Sequence, residues 1–269
     1  MFLKDFNSYM PKLHVCYQIF FIYISKMNNN KTISIFCDFD ATVSVLDVGD
    51  ELFKTFGNWN EHYQDFLEEK YDVKELNRRL CKSLKPELTF EEISEFAVKQ
   101  EIDAYFAKFI AFCEGNNLNF TIVSDGFDAY INPILQHHRL AHLPKYCNSL
   151  VKQSNVFEPK FYNVVIDCQC FTQCLTASCK RNVVLNNSSD DDIVVYIGDG
   201  HTDFCASEHS DIIFAKSKLA AHCNKNHIPH HYFKTFFDIY RILDNKIKSN
   251  ELHHRHQAKM KRKSAFEIE

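Results

Sequence analysis

Seven side chains in this sequence have the types and positions to handle a doubly charged anion. Asp38, Asp40 and Thr42 lie in the run Asp38-Phe39-Asp40-Ala41-Thr42, directly after an apolar, β-branched stretch. Ser124 opens Ser124-Asp125-Gly126 after another apolar stretch, and Asp199 and Asp203 stand in Gly198-Asp199-Gly200-His201-Thr202-Asp203 after a further one. Lys180 precedes that last stretch, with Arg181 beside it as a competing cation. If folding gathers these groups, four carboxylates share one crevice. Two such charges roughly 4 Å apart repel by about 4 kcal/mol at an effective dielectric near ~20. They raise one another's pKa unless a cation sits among them. A hard divalent ion with oxygen ligands meets that need, and magnesium, the usual ion beside phosphate, is the expected cofactor. With the Lys180 ammonium it offsets the negative charge and leaves a pocket for a phosphate dianion. Each residue also has a plainer use: Asp40 or Thr42 could cap a turn, Asp199-Gly200 is a common turn pair, and Ser124 could be a helix N-cap.

Such a crevice requires the polar residues to sit at the carboxyl ends of parallel strands, where ligands bind in open α/β sheets. The pattern supplies those strands. Thr32 to Cys37, Asn119 to Val123 and Ile193 to Ile197 are short apolar runs ending in the polar residues above, and Phe161 to Asp167 is a further candidate. Helices are expected from about Phe127 to His137 and from near Ser178. The pairs Ile212 to Phe214 with Lys218 to Cys223, and His231 to Phe233 with Phe236 to Leu243, close the alternation. Alternating strands and helices imply an α/β fold, a Rossmann-like parallel sheet with helices on both faces. Residues 47–115 read as helical, with Thr89 and Glu92 forming a capping box and Gly115 a C-terminal stop. They interrupt the alternation as a small helical cap inserted after the first strand. The expected organisation is an N-terminal extension over 1–30, a core over 31–46 and 116–245, the cap over 47–115, and a solvated polar tail over 246–269.

Composition narrows the partners. A chain of 269 residues with 45% hydrophobic residues and 25 Phe can bury a large core. Its formal charge of −4 gives no ground for nucleic acid or an anionic membrane as a partner. Leu13 to Ile24 is apolar but too short to span a bilayer, and no small-x-small cleavage site follows it. Translation is expected to start at Met27, leaving the first 26 residues as a loose extension. The 11 cysteines are spread along the chain and read as reduced thiols, which places the protein in the cytoplasm. The cluster Cys168, Cys170, Cys174 and Cys179 lacks paired C-x-x-C knuckles, and it stays open between a reduced cluster and a zinc site.

The motifs together resemble the haloacid dehalogenase superfamily of phosphatases. Asp38-Phe39-Asp40-Ala41-Thr42 is similar to that family's first motif, Ser124 to its second, Lys180 to its third, and Gly198 to Asp203 to its fourth. The resemblance implies that Asp38 is a nucleophile that becomes an aspartyl phosphate and that Asp40 is the general acid and base. It also implies magnesium on Asp38, Asp40 through its carbonyl, Asp199 and Asp203, the last directly or through water. Phosphate would be held by Thr42, Ser124, Lys180 and backbone N–H groups around Asp125 and Gly126. Ala41 replaces the Gly or Ser more usual at its position.

The helical insert resembles the branch containing phosphoserine phosphatase. Cys37 to Asp40, Ser124 to Phe127 and Gly198 to Cys223 are closer to two groups. These are the methionine-salvage phosphatases of 2-hydroxy-3-keto-5-methylthiopentenyl-1-phosphate and the phosphocholine and phosphoethanolamine phosphatases. Asp47, nine residues after Asp38, either meets a substrate group or caps the first cap helix. The expected partner is a small phosphorylated metabolite; oligomeric state is not legible. A non-catalytic phospholigand-binding or regulatory module on the same fold is the alternative reading.

Overall fold

The computed structural model describes residues 32–163 and 176–268. Within them a seven-stranded sheet has the order β4-β3-β2-β1-β5-β6-β7. The strands are β1 (Ile33–Cys37), β2 (Asn119–Phe127), β3 (Lys145–Gln153), β4 (Val156–Lys160), β5 (Ile193–Gly198), β6 (Ile212–Ala215) and β7 (His231–Tyr232). All pairings are parallel except β3–β4. β1 is central, and its five residues are buried on both faces, as a doubly covered parallel strand requires. Ile33, Ile35 and Cys37 join the main core, while Phe36 packs on the other face with Val183, Val184, Val194 and Tyr196.

After β1 the chain runs through α1 (Val48–Phe56), α2 (Trp59–Leu67), α3 (Val73–Ser83), α4 (Phe90–Ala97) and α5 (Phe106–Gly115). Their starts obey capping chemistry. Asp47 and Asp72 accept backbone N–H groups at α1 and α3, and the Thr89–Glu92 capping box opens α4 as expected. The insertion has a neck. Val45 N–H donates to Glu101 O at 2.9 Å and Asp103 N–H donates to Val43 O at 2.9 Å, so the outgoing and returning chains pair there. The expected end of the insert at 115 therefore falls one helix late. α5 belongs to the layer on the sheet, where Phe106 and Phe109 meet Phe120 and Phe236 with ring centroids 4.9 to 6.1 Å apart.

β2 leads into α6 (Asp128–His137), and β4 is followed, after the residues outside the description, by α7 (Lys180–Asn186). α8 (Phe204–Glu208), α9 (Ser217–Lys225) and α10 (Phe236–Lys248) alternate with the remaining strands. Two expectations are corrected. Residues 161–163 of the expected strand Phe161 to Asp167 are not strand, and 164–167 lie outside the described residues. The strand there is instead β4, folded back on β3 through Ser154 and Asn155, whose φ angles of 49° and 64° give the twist of a tight hairpin. The region beyond Asp244, expected as a solvated tail, is also ordered. α11 (His256–Ile268) docks through Arg262, which is 3% exposed and 3.0 Å from Asp211 Oδ2. The Asp211 carboxylate is buried where it accepts Val194 N–H at the start of β5, and a cation from the tail answers its charge. The N-terminal expectations, and the cluster Cys168, Cys170 and Cys174, lie outside the described residues. Cys37, Cys81, Cys113, Cys147 and Cys223 are free thiols. No helix among the described residues is long and apolar enough to cross a membrane.

Candidate active site

The strand order reverses at β1 and β5, since β2 and β3 lie to one side and β6 and β7 to the other. At that switch point the carboxyl ends of neighbouring strands diverge and leave a crevice. Asp38 follows β1 and Asp199 follows β5, so the topology sets them side by side. Asp38 N–H donates to Ile197 O at 2.9 Å, continuing the ladder one residue past the strand. The next residues turn sharply: Thr42, Val43 and Ser44 all send their N–H groups back to Phe39 O, and Ala41 sits at φ 51°. A left-handed alanine costs roughly 1–2 kcal/mol, which is the physical reason a small residue belongs there.

Lys180, the first residue of α7, is 1% exposed and bridges two carboxylates. Its Nζ lies 2.7 Å from Asp38 Oδ1 and 2.8 Å from Asp203 Oδ1. Burial opposes the Lys180 charge, but Asp203, Asp38 and Asp125 outweigh it and hold the proton on firmly. Asp38 is pushed well above the ordinary carboxylate range, first by burial and then by the charge of Asp203, with Lys180 working the other way. Asp199 is pushed up to about 6 by burial and by Asp203. These shifts register burial first and, after it, mutual repulsion that one lysine does not cancel.

The acidic groups fit a hard metal ion. One oxygen each from Asp38, Asp199 and Asp203 lies within 4.8 Å of the others, an all-oxygen donor set of the kind magnesium takes. Asp203 is heavily engaged. Its Oδ1 accepts from Lys180 and from the Tyr196 hydroxyl at 2.8 Å, and its Oδ2 accepts from Asp199 N–H and Gly200 N–H, both at 2.9 Å. A carboxylate has about four acceptor sites, so Asp203 shapes the Asp199 loop and would reach an ion through water more readily than directly. Thr42, expected on phosphate, spends its hydroxyl on Asp199 Oδ1 at 3.1 Å and so aims that carboxylate.

Asp40 is cradled from two sides. Val48 N–H, in the first turn of α1, donates to Oδ1 at 3.0 Å, and the Tyr130 hydroxyl donates to Oδ2 at 2.7 Å. Ser124 Oγ approaches Oδ2 at 3.4 Å and accepts Gly126 N–H at 2.9 Å. Burial raises the Asp40 pKa, and the Tyr130 and Val48 hydrogen bonds moderate the rise. Gly126 has no room for a side chain: a Cβ there would fall 1.9 Å from Tyr130 Oη and 2.4 Å from Asp40 Oδ2. Asp125 turns its carboxylate away to accept Ala177 N–H and Ser178 N–H, each at 2.8 Å. It thereby pins the segment that delivers Lys180. Asp47 is exposed, and its Oδ1 accepts Asp50 N–H at 2.8 Å as the α1 N-cap.

Sequence reasoning therefore named the residues that converge here but missed Tyr130, Tyr196 and the latch made by the Asp125 side chain. Tyr196 carried a usable signal, because a tyrosine inside the apolar run Ile193 to Ile197 must find a polar partner once buried. Tyr130 carried none, since its partner is 90 residues away.

The Rossmann-like sheet sets these carboxylates and the lysine at its switch point, the arrangement expected of a haloacid dehalogenase phosphatase. The chain belongs to the family described as "Putative Phosphatase", which matches residues 33–231. It is 30% identical over 222 residues to the 2-hydroxy-3-keto-5-methylthiopentenyl-1-phosphate phosphatase of Bacillus mycoides, covering 81% of this chain and 98% of the relative. The protein of that name from Brevibacillus brevis is 28% identical, with 80% and 96% covered. In fold it is similar to a probable phosphoserine phosphatase from Vibrio cholerae, with TM-score 0.62, 19% identity, and 84% and 68% of the two chains covered. A phosphoserine phosphatase holding a phospho-aspartyl intermediate analogue gives TM-score 0.58 at 18% identity, covering 80% and 99%.

Proposed function

We propose that this phosphatase is a magnesium-dependent phosphomonoester hydrolase that acts on a small phosphorylated metabolite through an aspartyl phosphate at Asp38. The carrying observation is the contact of Lys180 Nζ with Asp38 Oδ1 at 2.7 Å beside the Asp199 and Asp203 oxygens. A buried carboxylate held against a lysine ammonium, beside oxygens that a divalent ion would bridge, supports the reading of Asp38 as the nucleophile. Magnesium would be held by Asp38, the Asp40 carbonyl, Asp199 and, through water, Asp203, and would neutralise phosphoryl charge.

An Asp38 oxygen bonds to phosphorus as the bond to the leaving oxygen breaks, and the leaving oxygen takes a proton from Asp40. Asp40, then ionised, takes a proton from the water that hydrolyses the acyl phosphate. Ser124 and Lys180 hold phosphoryl oxygens, together with backbone N–H groups near Asp125 and Gly126. Positioning and charge supply most of the catalysis in such transfers. The named relatives make 2-hydroxy-3-keto-5-methylthiopentenyl-1-phosphate the first ester to assay. Phosphocholine, phosphoethanolamine and phosphoserine follow, with Asp47 proposed to sort among them from the mouth of the crevice. Purified protein should hydrolyse p-nitrophenyl phosphate with magnesium and stop in excess chelator. Asp38→Asn should retain less than about a tenth of the parent rate, a barrier change of about 1.4 kcal/mol or more. Full turnover in chelator, or by that variant, would contradict the reading.

A further inference from the structure

We propose that Tyr130 is a positioning residue for this reaction, holding Asp40 by its phenol hydrogen bond in the orientation from which Asp40 protonates the leaving oxygen. The inference rests on the reading of Asp38 as nucleophile and Asp40 as acid. It adds a residue outside the four motifs.

Three observations carry it. The Tyr130 hydroxyl lies 2.7 Å from Asp40 Oδ2, and Tyr130 is 1% exposed, so its ring is shielded from bulk solvent. The helix is seated in the core, where Tyr130 and its neighbours Ile131, Ile134 and Leu135 are each at most 1% exposed. Space is also reserved for the contact: only a residue without a side chain at Gly126 leaves room for the phenol oxygen and the carboxylate to meet. A buried tyrosine needs an acceptor, and a backbone carbonyl would serve a purely structural one. This tyrosine is aimed at the carboxylate assigned the proton transfer.

The opposite oxygen of Asp40 is held by Val48 N–H at 3.0 Å. Donors on both oxygens fix the carboxyl plane, since turning it about the Cβ–Cγ bond breaks both contacts. In the transfer, the electron pair of the breaking P–O bond goes to the leaving oxygen, which takes the Asp40 proton. Asp40 gains a negative charge and Tyr130 keeps its own proton throughout. A hydrogen bond to an ionised acceptor is roughly twice as strong as one to a neutral group, so the Tyr130 contact strengthens as the proton leaves. Interactions that grow toward the transition state are the ones that accelerate a reaction.

The test compares kcat/KM on two esters of similar shape, p-nitrophenyl phosphate and phenyl phosphate. Phenol, with a pKa of about 10, needs protonation as it leaves far more than p-nitrophenol does. Tyr130→Phe should lower kcat/KM on phenyl phosphate about tenfold, and on p-nitrophenyl phosphate by less than about twofold. Asp40→Asn should separate the two esters in the same direction and more strongly. In the Asp40→Asn background, Tyr130→Phe should add no further loss. Equal loss on both esters, as from a disturbed fold, or full additivity in the double variant, would overturn the proposal. If Asp40→Asn does not separate the esters, the acid assignment itself fails. If it does and Tyr130→Phe does not, only the role of Tyr130 falls.

Discussion

Asp199 is a crevice carboxylate that folding pushes toward neutrality. Its pKa in the folded chain is about 6, against an ordinary value of 3.8, with burial the largest cause. A carboxyl raised on folding favours the folded state fully below its unfolded pKa. That contribution is lost as pH rises through about 6. The proposed magnesium would need the ionised group, so the stability it restores should grow over the same window. The rise in melting temperature on adding magnesium should be larger at pH 7.5 than at pH 5; equal rises would remove Asp199 from the ion site. Asp47 is tested by a pair of variants. Asp47→Asn keeps the α1 cap and should leave stability unchanged, while Asp47→Ala should cost about 1 kcal/mol in urea unfolding. Both should alter preference among natural esters more than turnover of p-nitrophenyl phosphate, and loss on all esters alike would make the residue structural only. At this scale the sequence was informative because Asp38, Asp40, Lys180, Asp199 and Asp203 have types that only a charged crevice brings together. The direction in which Thr42 and the Asp125 side chain point was not, because it depends on partners 157 and 52 residues away.

Elements with a strong local signal were legible, and those defined by distant partners were not. β1, β2 and β5 announced themselves as apolar runs ending in polar residues. β3 and β4 did not, because Ser154-Asn155 lacks the glycine that usually marks so tight a turn. α11 was hidden for an electrostatic reason. Its Arg, Lys and His residues read as solvated charge, yet Arg262 is matched to a buried carboxylate on the start of β6. Arg255 supports the dock by donating to the carbonyls of Ser207, Glu208 and Ser210. Removing one partner of a buried ion pair costs about 3–5 kcal/mol, and Val194 N–H and Arg255 N–H still reach Asp211 here. Arg262→Ala should therefore destabilise the protein by about 3 kcal/mol in urea unfolding, with kcat/KM unchanged well below the transition. A loss under about 0.5 kcal/mol would show that α11 does not hold the sheet.

Across the molecule, the crevice is made by an α/β sheet and bounded by an insertion tied at its neck. That neck pairs Val43 and Val45 with Asp103 and Glu101, and Asp103 also accepts Phe236 N–H from α10 at 3.2 Å. The insertion is thus anchored to the sheet layer within a few residues of Asp38 and Asp40. Its first helix reaches the Asp40 carboxylate directly through Val48 N–H. Fold class followed from alternation along the sequence. The true neck did not, because α5 reads as one more helix in a helical run until Phe106 and Phe109 are seen against Phe120 and Phe236. The proposed function requires one covalent event, which can be trapped. Enzyme quenched with acid during turnover of p-nitrophenyl phosphate and reduced with tritiated borohydride should carry label in the peptide containing Asp38, as the acyl phosphate is reduced to homoserine. Asp38→Asn should carry none. Label at any other carboxylate, or in that variant, would contradict the account.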